Sequence, residues 1–143
     1  QEDEEEKYLA KKGDILFNRT NSKELVGKTT VYNLSEPMAI AGYLIRVRTN
    51  SKALPEYISG YLNSKHGKET LKHMCKSIIG MANINAKELQ AIYILIQPID
   101  VQIKYKNIIH EKYLLKEKMM VQSRTLDIQF HSLMQKSFSH TYE

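Results

Sequence analysis

From Val101 to Phe138 the chain contains no glycine and no proline. Nothing in this run interrupts a helix, and Asp100 stands before it as an N-cap. At the standard rise per residue, a helix reaching Lys136 is roughly 55 Å long. That is longer than the small domain the preceding residues can build. Two series at seven-residue spacing fit a helical seam: Val101, Ile108, Leu115, Gln122 and Gln129, and Tyr105, Lys112, Met119, Leu126 and Leu133. Seven of these ten sites are apolar, which predicts a coiled coil with polar interruptions. Gln122 and Gln129 would cost stability there but help fix register or partner. One such helix cannot bury its own seam, so the pattern calls for a second helix.

The preceding residues mix strand and helix signals. Ile15–Phe17 and Thr29–Tyr32 are strand-like runs flanking a loop that holds Asn18, Arg19, Thr20, Asn21, Ser22 and Lys23, then Gly27 and Lys28. Nearly every side chain in this loop can donate a hydrogen bond, and three are cationic. These residue types contact phosphates and base edges. No acid, base or nucleophile pair stands among them, so the loop points to recognition rather than chemistry. Arg19 is the leading candidate, because an arginine–guanine contact is the commonest specific pairing. The alternative is that Arg19 bridges the loop to Asp14 or Glu24.

Residues 1–12 lack periodicity and are expected to be coil. Strands are predicted at Asp14–Phe17, Lys28–Leu34 and Ala41–Arg48. Alternation in the last puts Tyr43, Ile45 and Val47 on one face and Leu44, Arg46 and Arg48 on the other. Arg46 and Arg48 are then either a DNA-facing cationic pair or a solvated or salt-bridged outer face. Pro55 suits the first turn of a helix that Gly67 stops, and a second helix is expected over Lys68–Ile79. Leu71, Met74, Cys75 and Ile78 share a stripe of it. Lys65, His66, Lys68, Lys72, His73 and Lys76 lie opposite, facing either phosphates or solvent. Asn85 with Glu88 has the spacing of a capping box. Ile92–Ile96 reads as a buried strand ended by Pro98. The expected fold is therefore α+β: a small mixed β-sheet with packed helices over residues 1–98, one long coiled-coil-type helix over 99–138, and a tail at 139–143.

Several of these words recur together elsewhere. GDILFNRTNS, ELVGKTTVY, GYLIRVR at Gly42–Arg48, PEYISGYLNS at Pro55–Ser64 and MANINAKELQAIYILIQPI at Met81–Ile99 follow in order. A long helix with Gln102 near its start and LMQKSF at Leu133–Phe138 near its end completes the series. The ordered set resembles the target recognition domain of type I restriction–modification specificity subunits. The resemblance runs from Tyr8 to Phe138 and implies sequence-specific binding of double-stranded DNA at a bipartite target. It implies docking of methyltransferase and restriction/translocase subunits, which would carry S-adenosylmethionine and ATP, so no cofactor is expected on this chain. It also implies a second long helix, in cis or in trans, pairing antiparallel as a spacer. Asn83 would lie near the recognition loops, either contacting DNA or tying its own loop together. The DNA-binding set on this reading is Arg19, Asn21, Ser22, Lys23, Lys28, Arg46 and Asn83. In the family much variable sequence precedes the GDILF strand, so the chain is expected to be the later part of one recognition domain with its following helix.

Charge agrees with a polyanion partner. The net charge is +5, but residues 2–6 carry five carboxylates, and from residue 7 onward 21 cations stand against 11 anions. Neutralising phosphates releases counterions, which drives such a basic body onto nucleic acid; a lysine-coated soluble surface is the plainer alternative. Cys75 is the single cysteine, which rules out an internal disulfide and suits a reducing, cytoplasmic setting. No apolar run approaches the roughly 20 residues that cross a bilayer. His66, His73, His110, His131 and His140 form no metal-ligand spacing. No phosphate-gripping glycine motif and no methyltransferase Asn-Pro-Pro-Tyr word occurs, and Asp14, Glu24 and Lys28 make a poor nuclease set. The rival reading from another class is a coiled-coil dimerisation or adaptor module that reads no DNA sequence.

Overall fold

In the computed structural model, residues 8–22, 25, 27–78 and 81–139 are described. Lys23 and Glu24, the end of the expected second helix at Ile79, and His140 lie outside them. The strands are β1 (Leu9–Ala10), β2 (Ile15–Asn18), β3 (Thr20–Asn21), β4 (Thr29–Val31), β5 (Met38–Ala39), β6 (Leu44–Val47), β7 (Lys76–Ile78) and β8 (Met81–Asn83). The helices are α1 (Pro55–Asn63), α2 (Lys65–Met74), α3 (Ala86–Gln90) and α4 (Ile99–Phe138). By its internal contacts the chain divides into Gln1–Tyr105 and Lys106–Glu143. The class is α+β, as the sequence predicts. The strands form not one mixed sheet but three small ones, ordered β1–β5, β4–β2–β6 and β3–β8–β7, and every described pairing is antiparallel.

β2 is the centre of the first unit because both its faces are covered. Ile15 and Phe17 point to a cluster with Ile58 and Leu62 of α1, Leu71 of α2, and Ala82 and Ile84 around β8. Leu16 points the other way, onto Ala10 and Tyr32. The run Ile-Leu-Phe is therefore apolar without alternation, as a strand buried on both sides must be. β1, which the sequence placed in coil, is a two-residue strand covering that second face. The outer edge of β4 is occupied by Asn63. Its Nδ2 donates to the Thr29 carbonyl at 2.6 Å, and Thr29 N–H donates to its Oδ1 at 3.1 Å. The amide thus stands where a neighbouring strand would be.

The helix boundaries differ from expectation at a defined place. α1 ends at Asn63, and Ser64 caps α2 by accepting Gly67 N–H at 3.1 Å. Gly67 does not stop a helix; it lies in the first turn of α2. A Cβ there would sit 2.1 Å from the Tyr61 carbonyl oxygen, so the tight junction of α1 with α2 needs a glycine. α2 ends at Met74 because Lys76–Ile78 pairs with Met81–Asn83 as a hairpin. The Asn85–Glu88 capping box is present, with both reciprocal bonds at 2.9 Å. Ile92–Ile96 is not a strand. Ile92 and Ile94 face the core while Tyr93 and Leu95 are exposed, and the hydroxyls of Tyr57 and Tyr61 donate to the carbonyls of Leu95 and Tyr93.

α4 runs for 40 residues from Ile99, about 60 Å at the helical rise, so Asp100 lies within its first turn and is not the N-cap that the sequence suggested. In its first turns Gln102 is fully buried and Tyr105 rests edge-on against Tyr57, with ring centroids 6.2 Å apart. Gly60 leaves room for the Tyr105 hydroxyl, which a Cβ would meet at 2.0 Å. Within the second unit, the seam residues Ile108, Leu115, Met119, Leu126 and Leu133 are all exposed. Further exposed apolar residues, Tyr113, Leu114, Met120, Val121 and Ile128, fall on the opposite side at 100° per residue. The helix is thus compatible with a coiled coil and carries more apolar surface than one narrow seam.

Candidate nucleic-acid interface

Arg19 stands where the chain leaves one sheet for another. β2 ends at Asn18 and β3 begins at Thr20. Between them, Arg19 N–H donates to the Tyr43 carbonyl at 3.0 Å, before β6, and its own carbonyl accepts from Ile84 N–H at 2.9 Å, after β8. Its backbone is fixed from both sides, so the side chain leaves from a rigid point. The loop that follows closes on Asn18. Asn18 N–H donates to the Lys28 carbonyl at 3.0 Å, and Gly27 N–H donates to the Asn18 carbonyl at 2.8 Å. Gly27 has φ +72°, and a Cβ on it would lie 2.4 Å from Leu71 Cδ1. Both facts demand glycine at this turn.

The pairing of β3 with β8 brings distant candidates together. Thr20 is directly opposite Asn83. Asn83 Oδ1 accepts from Thr20 Oγ1 at 3.1 Å and from Arg19 Nε, 64 residues away in sequence, at 3.4 Å. With the Asn83 oxygen taken twice, its amide N–H groups and the terminal guanidinium nitrogens of Arg19 have no bond among the described residues. An arginine fork beside a carboxamide matches the donors that read guanine and adenine edges. Asn21 and Ser22 continue the same edge, where Asn21 Oδ1 accepts Ser22 N–H at 2.8 Å. Lys28 is exposed across the turn. Thr20 was not among the sequence candidates; the signal that finds it is its register position opposite Asn83.

Arg46 does not join this cluster. It is opposite Leu16 in the register, donates to the Leu9 carbonyl, and lies 3.9 Å from Asp14 Oδ2 with its side chain 17% exposed. Arg48 completes the group, donating from Nε to Asp14 Oδ1 at 2.8 Å. Both arginines meet Asp14, so the face carries the ion pairs that one of the two readings expected. Asp14 is therefore engaged by Arg48 and Arg46, and among the described residues the Arg19 side chain bonds Asn83; Glu24, the other expected partner, lies outside them. Burial alone would raise the Asp14 carboxyl. The Arg48 hydrogen bond, the Lys11 N–H and the charges of both arginines outweigh it and hold the group below its usual range.

The geometry gathers polar side chains on the surface of a small α+β unit whose chain continues into a 40-residue helix. Comparison with other proteins narrows that class. No family model matches the chain. It is 31% identical over 98 residues to the MjaX specificity subunit of a type I restriction enzyme from Methanocaldococcus jannaschii, covering 67% of this chain and 23% of that protein. It is 32% identical over 108 residues to the EcoKI type I restriction enzyme specificity subunit of Escherichia coli K12, covering 71% of this chain and 22% of that protein. The chain is thus similar to specificity subunits over about two thirds of its length, and the matched stretch spans less than a quarter of either relative. Among the described residues, no helix is long and apolar enough to cross a membrane, and no group of His, Cys, Asp and Glu is placed to hold a metal.

Proposed function

We propose that this chain is a sequence-reading segment of a type I restriction–modification specificity subunit, binding double-stranded DNA without catalysing a reaction. The observation that carries the proposal is the Arg19–Thr20–Asn83 cluster on a rigid strand switch, in a chain similar to two such subunits. Arg19 and Asn83 read base edges. Asn21, Ser22, Lys23 and Lys28 position the loop on phosphates, which fixes register without carrying sequence information. Arg46 acts indirectly, by holding Asp14 at the start of β2. Methyltransferase and translocase subunits dock on the assembly in the cytoplasm and supply S-adenosylmethionine and ATP chemistry, while this chain binds neither. In the intact subunit, Arg19→Ala should weaken binding to the target duplex by about 1–3 kcal/mol. Asn83→Ala should be non-additive with it, because the two side chains share a bond. Fluorescence anisotropy against target and scrambled duplexes measures both, and target affinity unchanged by Arg19→Ala at unchanged melting temperature would remove the proposal.

The long helix spaces this reading unit from a second one, which makes the DNA target bipartite. The exposed seam supports a second helix of the same kind as its partner. By sedimentation equilibrium at micromolar concentration the full chain should approach twice its own mass. Replacing Leu115 and Leu126 by glutamate should return it to one. A strictly monomeric wild-type chain would contradict the pairing.

A further inference from the structure

Chemistry fixes the orientation of the Asn83 carboxamide. Its Oδ1 lies 3.4 Å from Arg19 Nε and 3.1 Å from Thr20 Oγ1. A guanidinium has only N–H donors and no acceptor, so the amide atom that meets Nε has to be the oxygen. Turning the amide over would press its N–H groups against that of Arg19. The Thr20 hydroxyl donates to the same oxygen, and a carbonyl oxygen has two lone pairs to give. The backbone holds this arrangement from both sides. Thr20 is paired with Asn83 and Asn21 with Ala82 in the β3–β8 ladder, and the Arg19 carbonyl accepts Ile84 N–H at 2.9 Å. Asn83 is exposed, while Arg19 and Thr20 are half-buried. The polar atoms left for a ligand are Asn83 Nδ2 and the terminal guanidinium nitrogens of Arg19, which have no bond among the described residues. All of them are donors.

We propose that Thr20 is the positioning residue that makes Arg19 and Asn83 a donor-only reader, which takes the major-groove edge of guanine and rejects adenine. This preference rests on the reading of the chain as a DNA-binding subunit. Guanine presents two acceptors, N7 and O6, side by side in the major groove, whereas adenine presents its N7 acceptor beside an amino donor. A carboxamide reads adenine by setting its oxygen against that amino group and its N–H against N7. In Asn83 both lone pairs of the oxygen are engaged, so an adenine amino group meets only donors and loses its hydrogen bond to water without replacement. Arg19 by itself favours guanine, and Thr20 extends the preference to Asn83. Without the Thr20 hydroxyl, one lone pair of the Asn83 oxygen opens and adenine regains an acceptor. Thr20 touches no base in this scheme; it sets what Asn83 offers.

Selection of duplexes from a randomised pool by the full chain tests it. The position read by the cluster is the one whose preference both Arg19→Ala and Asn83→Ala lose, and it should be guanine. In the selected duplex, adenine at that position should weaken wild-type binding about 5- to 100-fold. A deazaguanine lacking N7 should also weaken it, and hypoxanthine, which keeps N7 and O6, should not. Thr20→Val keeps the side-chain shape and removes the hydroxyl. It should narrow the guanine-over-adenine ratio several-fold by improving the adenine duplex, while Thr20→Ser, which retains the hydroxyl, should keep the wild-type ratio. A merely structural role for Thr20 would weaken both duplexes alike and leave the ratio unchanged, which overturns the proposal. So does an enriched adenine at that position, a loss on hypoxanthine, or a preferred sequence that neither alanine variant alters. In each of these cases binding of a preferred sequence still stands. A wild-type chain that enriches no sequence sinks the DNA reading itself, and the guanine preference with it.

Discussion

Gln102→Ala should lower the stability of the globular unit by about 3–5 kcal/mol, the summed cost of several unpaired backbone groups and a cavity. Gln102 is fully buried, and its amide makes three hydrogen bonds, all to backbone. Its Oε1 accepts Leu54 N–H at 2.8 Å. Its Nε2 donates to the carbonyls of Lys52 at 3.0 Å and Gln97 at 2.7 Å. Leu54 is the N-cap position of α1 and has no side-chain cap of its own, so Gln102 supplies an acceptor there. One side chain on α4 thus closes the start of α1 and the end of the 91–98 segment together. Urea unfolding followed by circular dichroism measures the loss, and a midpoint within error of wild type would contradict it. Gln102→Glu sharpens the test. A carboxylate still accepts from Leu54 N–H, but its second oxygen faces two carbonyls, and only the protonated acid can donate to one. Its folded pKa should therefore lie above the unfolded value of about 4.3. The variant should be nearest to wild type at low pH and lose ground as pH rises through that raised pKa.

What the sequence discloses divides along the range of the interactions involved. The capping box at Asn85–Glu88, the start of α1 at Pro55 and the long run of α4 depend on residues within a few positions, and each is found where it was predicted. Lys76–Ile78 was assigned to helix because its apolar spacing fits one, yet it pairs as a strand. The partner strand β8 decides that conformation, and periodicity within a short window does not contain the partner. Ile92–Ile96 has the unbroken apolar run of a buried strand, but the Tyr57 and Tyr61 hydroxyls bond two of its carbonyls and no described strand pairs with it. The site divides in the same way. Arg19 stood out by residue type, and Asn83 through the family resemblance. Their contact spans 64 residues and exists only through the β3–β8 register. Arg46 and Arg48 were placed together on one face of a strand, and their ion pairs with Asp14 depended on where β2 lay beside it.

Acid should destabilise the protein through Asp14, and Asp14→Asn should remove that sensitivity along with about 2–4 kcal/mol of stability at neutral pH, the scale for breaking a largely buried ion pair. Asp14 is 4% exposed and is held below its usual pKa of 3.8 by the groups around it. A group with a depressed folded pKa stabilises fully above its unfolded value and loses that contribution as pH falls through the folded one. The window is therefore below about pH 4. Arg48, with a side chain 53% exposed, is partly screened, so its Coulombic share is small despite the 2.8 Å bond. Arg46, 17% exposed, is the less screened partner. In the asparagine variant the Asp14 charge that both arginines meet is gone, while Lys11 N–H keeps an oxygen acceptor in place of Asp14 Oδ2. The expected result is a pair of unfolding curves, measured in urea from pH 6 to pH 2, that converge as the pH falls. Parallel curves across that range would show that Asp14 is not the titrating group. Because Asp14 immediately precedes β2 and Arg19 follows its end, the same variant also separates two roles. At a temperature where it is fully folded, its DNA affinity should match wild type, since Asp14 and Arg46 hold the frame and the Arg19–Asn83 cluster would make the contact.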